Sequence, residues 1–439
     1  MESLSPTATP EPQASSNREA DQYSLSAYYP LHTAYFYSFP SGEDSHFFNG
    51  VPPWKEEIVA ARPMVCAGSN VRVVAFASST NPEARDLLEN HCGVPLIPSG
   101  HVITLPETIN DHLYGRRRNT AVKFLLRTML APHALIMAQP YLDRGLEDRY
   151  QIPPALVVQL NDKITMASYV PKKFLPAQYQ LFTNGRDFAE SVTIPPIPCV
   201  VKISSSSAGD GVRICRTEND LRAAKSAFQK RNGNIFVEAF IPSVHNLCVQ
   251  FGIPHDATKP IAIIGYNEQL IDAHGEFLGG MVDPAQNALA VKEIYTVLSG
   301  TILPAVRKMG WYGIGGIDVL VKDDGSFYFI DPNFRMTATF TYVYLLRHQR
   351  MMKSVASFTG VFRGSREEFL QQVVPLAREG SATQRMTMIA LTKKDGLYRF
   401  NAGLFFDRRD AMHHHAKELL RLGIHSTVLK KLAATSTAP

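Results

Sequence analysis

Asp318, Asp331, Asn333 and Arg335 are the side chains whose types and spacing can do chemistry together in this sequence. They lie in Gly313 to Arg335, GIGGIDVLVKDDGSFYFIDPNFR, which reads as two short apolar strands joined at Asp324-Gly325. If that dipeptide is a two-residue hairpin loop, Asp323 pairs with Ser326, and counting outward sets Asp318 opposite Asp331 with both side chains on one face. Like charges facing across an antiparallel pair are destabilising, so the arrangement suits a cation between them, and a hard divalent metal is the natural candidate. Asn333 returns to the same face and completes an all-oxygen set of the kind Mg²⁺ takes. Arg335 adds a planar fork suited to carboxylate or phosphate. Two alternatives stay open: acids beside hairpins often serve only as turn formers, and a three-residue loop would put the two aspartates on opposite faces.

A second chemical stretch begins at Pro198-Cys199-Val200-Val201-Lys202-Ile203, a strand with a lysine near its end. Ser204 to Gly211, SSSSAGDG, follows, and Val212 to Cys215 resumes a β pattern. A Walker loop needs Gly-Lys-Ser/Thr opening a helix, and a dinucleotide fingerprint needs a third glycine before a helix; neither is present. Strand, Ser/Gly loop and strand make a flap whose N–H groups and hydroxyls can close over phosphates, with Lys202 supplying charge. A plain linker fits the same composition. His413-His414-His415 sits in a helical stretch, where consecutive residues point different ways, and reads as a solvent-facing helix rather than a metal site.

The elements that must position these residues are mixed. Val71 to Ala77 predicts a buried strand, and Asn81 opens a helix with Pro82 in its first turn. Asn119 to Met129 predicts a helix, and Pro154 to Leu160 (PALVVQL) a strand leading into Asn161-Asp162-Lys163. A helical stretch runs to about Phe174, and Leu221 to Lys230 is an amphipathic helix. Asn234 to Ile241 predicts a strand holding Glu238 before Pro242, with further strands at Asn246 to Ile253, Ile261 to Tyr266 and Gly275 to Gly280. A long helix covers Ala288 to Met309. The C-terminal segment predicts helices at Arg366 to Leu376 and Arg409 to Leu422, with strands at Met386 to Leu391 and near Tyr398 to Leu404.

Bulk properties bound the answer. The 439 residues are ample for a large core and imply about two to three domains. With 45% hydrophobic and 19% charged residues the composition is that of a globular protein, and a net charge of +5 argues only weakly for a polyanionic partner. Arg116-Arg117-Arg118, the one basic cluster, reads as a solvated turn. Five scattered cysteines without C-x-x-C spacing indicate neither a disulfide framework nor zinc, and fit a reducing compartment. No apolar run reaches the ~18 residues of a membrane span and no secretory pattern opens the chain, so the expectation is a cytosolic protein without nucleic-acid or membrane partners. The first twenty or so residues, rich in Ser, Pro, Thr and Glu, have little to bury and read as disordered.

Taken in order, Asn-Asp-Lys, strand-lysine-Ser/Gly loop, strand-Glu-hinge and Asp-x12-Asp-x-Asn-x-Arg resemble the ATP-grasp enzymes over about residues 160 to 340. The resemblance implies a mixed α/β (α+β) chain: a tail over 1–22, a preceding α/β domain over 23–157, the ATP-grasp domain over 158–362 and a small α/β extension over 363–439. It implies that Lys163 and Lys202 hold ATP phosphates, and that Ser205, Ser206, Ser207, Gly209 and Gly211 form the flap over them. Glu238, Ala239, Phe240 and Ile241 would contact adenine, with Asn246 at the ribose position. Asp318, Asp331 and Asn333 would bind Mg²⁺, or Mn²⁺ in its place, and Arg335 with Lys202 would serve the reacting phosphate and carboxylate. Two residues depart from the family pattern: Asp331 stands where glutamate is more usual, which puts one of two expected metals in question, and Asn246 where a ribose-binding glutamate is common. The NDK run, Asn-x-Arg-Met-Thr at 333–337 and the C-terminal segment are also similar to pheganomycin-type peptide ligases. The implied activity joins a carboxylate, activated as an acyl phosphate, to an amine, with amino acids or a short peptide as substrates, ADP and phosphate released, and oligomeric state open, a homodimer included. The alternatives are a thiol or hydroxyl acceptor, or a nucleotide-binding regulatory module without turnover.

Overall fold

The computed structural model describes residues 22–37, 53–109, 115–130, 133–138, 146–206, 211–271, 277–282, 288–348, 354–378, 380–381 and 384–434. The serine-rich N-terminal stretch, and Ser207 and Gly209 of the flap, lie outside these residues.

Three sheets organise the described residues. The first joins β1 (Thr33–Phe36), β2 (Val71–Phe76), β3 (Val102–Leu105) and β4 (Ala134–Met137) in the order β3-β2-β1-β4, all parallel. A parallel sheet is covered on both faces, which is why β2 is apolar almost throughout rather than alternating. Val71, Val73 and Ala75 enter the main core, while Val74 and Phe76 enter a separate core with Val122 and Leu126 of the helix Gly115–Met129. Asn81 caps the next helix as predicted, its side chain accepting from the Ala84 N–H with Pro82 in the first turn.

The second sheet is antiparallel, with β5 (Gln178–Phe182), β6 (Cys199–Ile203), β7 (Val212–Cys215) and β8 (Ile235–Ala239) in the order β5-β8-β6-β7. Cys199, Val201, Ile203, Cys215, Ile235 and Val237 share a core with Phe188 and Phe228 of two helices. Period-two alternation then sends Val200, Lys202 and Glu238 to the other face.

The third sheet comprises β9 (His245–Ile253), β10 (Ala262–Ile271), β11 (Phe277–Val282), β12 (Gly313–Val321), β13 (Phe327–Asn333), β14 (Ser354–Arg363), β15 (Met386–Lys394) and β16 (Leu397–Phe406). Its order is β13-β12-β9-β10-β11-β14-β16-β15, so the C-terminal strands continue the sheet that carries the acidic hairpin. Leu247, Val249, Phe251, Ile317 and Val319 enter the main core with Ile294, Leu298 and Ile302 of the helical stretch Ala288–Lys308.

Two expectations are corrected. Pro154–Asn161 is a helix, not a strand: Pro at its first position favours helix, and only Val157 and Leu160, three apart, are buried. The acidic hairpin turns through Asp323-Asp324-Gly325 rather than two residues, with Lys322 N–H donating to Ser326 O at 2.8 Å and Gly325 at φ +80°. Glycine at that left-handed position closes a three-residue loop, and Asp324 Oδ1 accepts from the Ser326 N–H at 2.9 Å. No described helix is long and apolar enough to cross a membrane.

Candidate active site

The apolar back of each antiparallel sheet is covered by helices, and their polar faces meet across a cavity of about 340 Å³. Val200, Lys202, Val212, Ile214 and Glu238 form one wall from the second sheet. Asn246, Cys248, Asn267, Gln269, Asp318 and Asp331 form the other from the third. Strand register produces these rows: Val200 pairs with Glu238 and Ile214, and Cys248 with both Asp318 and Asn267.

Asp318 pairs with Asp331, Ile317 with Pro332 and Gly316 with Asn333. Nearer the turn Val319 pairs with Phe329, so one extra residue, Ile330, is inserted on β13. This β-bulge offsets the three-residue loop and returns the two carboxylates to one face. Burial first, and the Asp331 charge second, push the Asp318 carboxyl up to about 7, against hydrogen bonds from Gln269 and Cys248 and the Arg335 charge. Asp318 Oδ1 is buried without a hydrogen-bond partner. Among the described residues no three His, Cys, Asp or Glu side chains gather as a metal cage, so oxygen donors beyond the two acids would have to come from Asn333 and from bound ligands.

The two lysines come from different elements, Lys163 from the 3₁₀ turn that follows Pro154–Asn161 and Lys202 from β6. Lys163 Nζ lies 3.1 Å from Asp331 Oδ1 and donates to Ser206 O at 2.7 Å. Asp162 positions it: Asp162 Oδ1 accepts from the Ile164 N–H, capping a 3₁₀ turn, and Oδ2 accepts from Ser204 Oγ at 3.0 Å. Lys202 Nζ sits 2.5 Å from Glu238 Oε1, both side chains nearly buried, and 3.4 Å from Ile330 O at the bulge. Asn161 Oδ1 accepts from the Phe334 N–H at 2.9 Å and from Arg335 Nη1 at 3.1 Å. The Asn-Asp-Lys run therefore bonds to both the flap base and the hairpin exit.

Of the residues singled out by sequence, Lys163, Lys202, Glu238, Ala239, Phe240, Ile241, Asn246, Asp318, Asp331, Asn333 and Arg335 all line the cavity. Ser205, Ser206 and Gly211 do not: Ser206 Oγ turns back to Ile203 O, and a Cβ on Gly211 would sit 2.2 Å from Ser206 Cβ, so the flap base is closely pinched there. Glu238 faces Lys202 as well as the hinge.

Sequence reasoning missed Arg62, which reaches the cavity from the end of the helix Pro53–Ala61. It missed a buried network in which Gln250 Nε2 donates to Asn267 Oδ1 and Thr339 Oγ1, both at 2.9 Å. Neither carries a local signal, since partners come from distant segments. Asn333-x-Arg-Met-Thr was a signal for Thr337, whose side chain also lines the cavity.

Residues 179–333 match the family described as "L-aspartate--L-methionine ligase, ATP grasp". Over 199 residues the chain is 27% identical to a D-alanine--D-alanine ligase of Geotalea uraniireducens, covering 45% of this chain and 61% of that one. Over 156 residues it is 23% identical to a formate-dependent phosphoribosylglycinamide formyltransferase of Bacillus velezensis, covering 35% and 38%. The chain thus spans about three fifths or less of these curated relatives. In fold it is similar to an L-amino acid ligase from Bacillus licheniformis, with TM-score 0.53, 12% identity and 91% and 99% of the two chains covered. It is likewise similar to a biotin carboxylase from Campylobacter jejuni, with TM-score 0.52, 12% identity and 92% and 96% covered.

Proposed function

We propose that this chain is an ATP-grasp enzyme, an ADP-forming carboxylate–amine ligase acting on small molecules, with amino acids as the first substrates to test. The observation that carries the reading is the convergence of Lys163, Lys202, the Asp318/Asp331 pair and Arg335 on one cavity between two sheets. Phosphoryl transfer needs charge neutralisation and alignment more than a protein nucleophile, and this set supplies cations and metal-binding oxygens.

ATP would lie between the sheets, its adenine against the hinge Glu238–Ile241 and its ribose near Asn246, whose buried Oδ1 has no partner. Lys163 and Lys202 would contact the phosphates, exchanging their present carboxylate partners for phosphate oxygens. The residues fit magnesium: two facing carboxylates, an unpartnered buried Asp318 Oδ1 and the Asn333 amide make a hard oxygen set. When bound, Mg²⁺ would supply charge neutralisation for the phosphates. Arg335, held by Asn161, would orient the substrate carboxylate. A carboxylate oxygen attacks the γ-phosphorus as the bond to the β-phosphate oxygen breaks, giving acyl phosphate and ADP. The amine nitrogen then attacks the acyl carbon, phosphate leaves and a proton is lost.

The names of the similar ligases make L-aspartate, L-methionine and D-alanine the natural start of a screen. ADP release measured over pairs of amino acids and small acids with amines should require both partners. ADP release indifferent to both would refute the ligase.

A further inference from the structure

We propose that Arg62 receives the carboxylate of the amine substrate, the carboxylate that is not activated, and that Asn401 is its positioning residue; this rests on the ligase reading above. Arg62 Nε donates to Asn401 Oδ1 at 2.8 Å, and Asn401 Nδ2 donates to Thr359 Oγ1 at 2.9 Å. Asn401 is only 3% exposed, so its amide is fixed between β14 and β16 and fixes one edge of the guanidinium. Neither Arg62 Nη atom has a hydrogen-bond or ion-pair partner among the described residues, and the side chain lines the cavity.

The other cations lining the cavity are already engaged: Lys163 and Lys202 face carboxylates, Arg335 faces Asn161, and Lys55 also has a partner. Arg62 is different. It is half-buried, its one fixed partner is a neutral amide oxygen, and no described acid pairs with it. Removing a guanidinium partly from water without a counter-charge is unfavourable, and an incoming anion relieves the cost. The two remaining Nη groups present parallel donors, the geometry that grips a carboxylate through both oxygens. The cavity lining also includes apolar surface: Val59 and the Tyr37 ring, both buried, and Ile271 and Phe277 from the third sheet. A carboxylate beside an apolar surface matches an α-amino acid with an apolar side chain. Arg62 comes from the parallel-sheet segment and Asn401 from β16, whereas the acids are on β12 and β13, so the amine substrate would enter on a wall distinct from the nucleotide hinge.

The test uses the full chain, with ADP release and product formation measured for L-leucine, L-methionine and L-phenylalanine, each against its carboxamide. The free acids should be accepted and the carboxamides disfavoured. Arg62→Gln should raise KM for the free acid about 30-fold or more with kcat little changed, and should erase the preference over carboxamide. Asn401→Ala should raise the same KM less, Arg62→Lys should recover part of it, and ATP affinity should stay near wild type in all three, with the melting temperature near wild type in both Arg62 variants. Wild-type turnover with Arg62→Gln unchanged in KM, or with carboxamides used as well as acids, overturns the assignment while leaving the ligase intact. An effect of Arg62→Gln confined to the activated acid overturns it too. No wild-type turnover with any pair removes the ligase reading and this assignment with it.

Discussion

Lys163 Nζ lies 3.1 Å from Asp331 Oδ1 and 2.7 Å from Ser206 O, so one buried ammonium joins the acidic hairpin to the base of the Ser/Gly flap. Lys163→Ala should therefore act on structure as well as turnover, because it orphans the Ser206 carbonyl and leaves Asp331 facing Asp318 unshielded. We expect about 1–3 kcal/mol of destabilisation in a denaturant titration, together with loss of activity. An unshifted midpoint would contradict the bridging role.

Lys202 lies on the second-sheet wall, 2.5 Å from Glu238 Oε1. Lys202→Ala should weaken ATP binding by roughly 10- to 150-fold, the worth of a charge-assisted phosphate contact of about 1.5–3 kcal/mol. Calorimetry with ATP in magnesium buffer reads this directly, and unchanged affinity would remove Lys202 from the phosphate site.

The acidic pair makes a pH prediction. Folding raises the Asp318 carboxyl from the ordinary carboxylate range to about 7, so in the metal-free protein the folded state keeps a proton that the unfolded chain releases. The stability from this group is full below about pH 4 and is lost as pH rises to about 7. Asp318→Asn should then be more stable than the wild type at pH 8 without metal, the margin shrinking toward pH 4. Asp331→Asn relieves the same repulsion but loses the Lys163 ion pair, so it should gain less or lose stability. Both variants should lose magnesium-dependent turnover. Thermal unfolding at pH 5 and 8 decides this; equal pH dependence in wild type and Asp318→Asn would refute it.

Much of the site was legible because its residues sit on short elements with strong local signals. The strand-lysine-flap and strand-Glu-hinge are contiguous patterns, and the strands around Lys202 and Glu238 fall on the apolar runs read as strands. The Asp318–Asp331 pairing followed from a two-residue loop that the chain does not make, and it holds because Ile330 bulges out of register. A bulge set by tertiary packing leaves no mark in the local pattern. Pro154–Asn161 misled for a related reason: an apolar run of that length does not distinguish strand from helix, and the prolines at 153 and 154 carried the better signal. Arg62 was invisible because its partner Asn401 is 339 residues away.

Arg335 should prove separable from nucleotide binding. Arg335→Lys keeps a charge but loses the planar fork and the Nη1 contact to Asn161 Oδ1. It should bind ATP as the wild type does and lose most carboxylate-dependent ADP formation. Loss of ATP affinity instead would place Arg335 at the nucleotide.

The central claim is that a carboxylate is phosphorylated in this cavity before any amine reacts. With ATP, magnesium and an accepted acid but no amine, hydroxylamine should trap a hydroxamate of that acid, with ADP formed in step and only when the acid is present. If ATP binds but neither hydroxamate nor acid-dependent ADP appears across a broad panel of amino acids and small acids, the chain is a nucleotide-binding module and not a ligase.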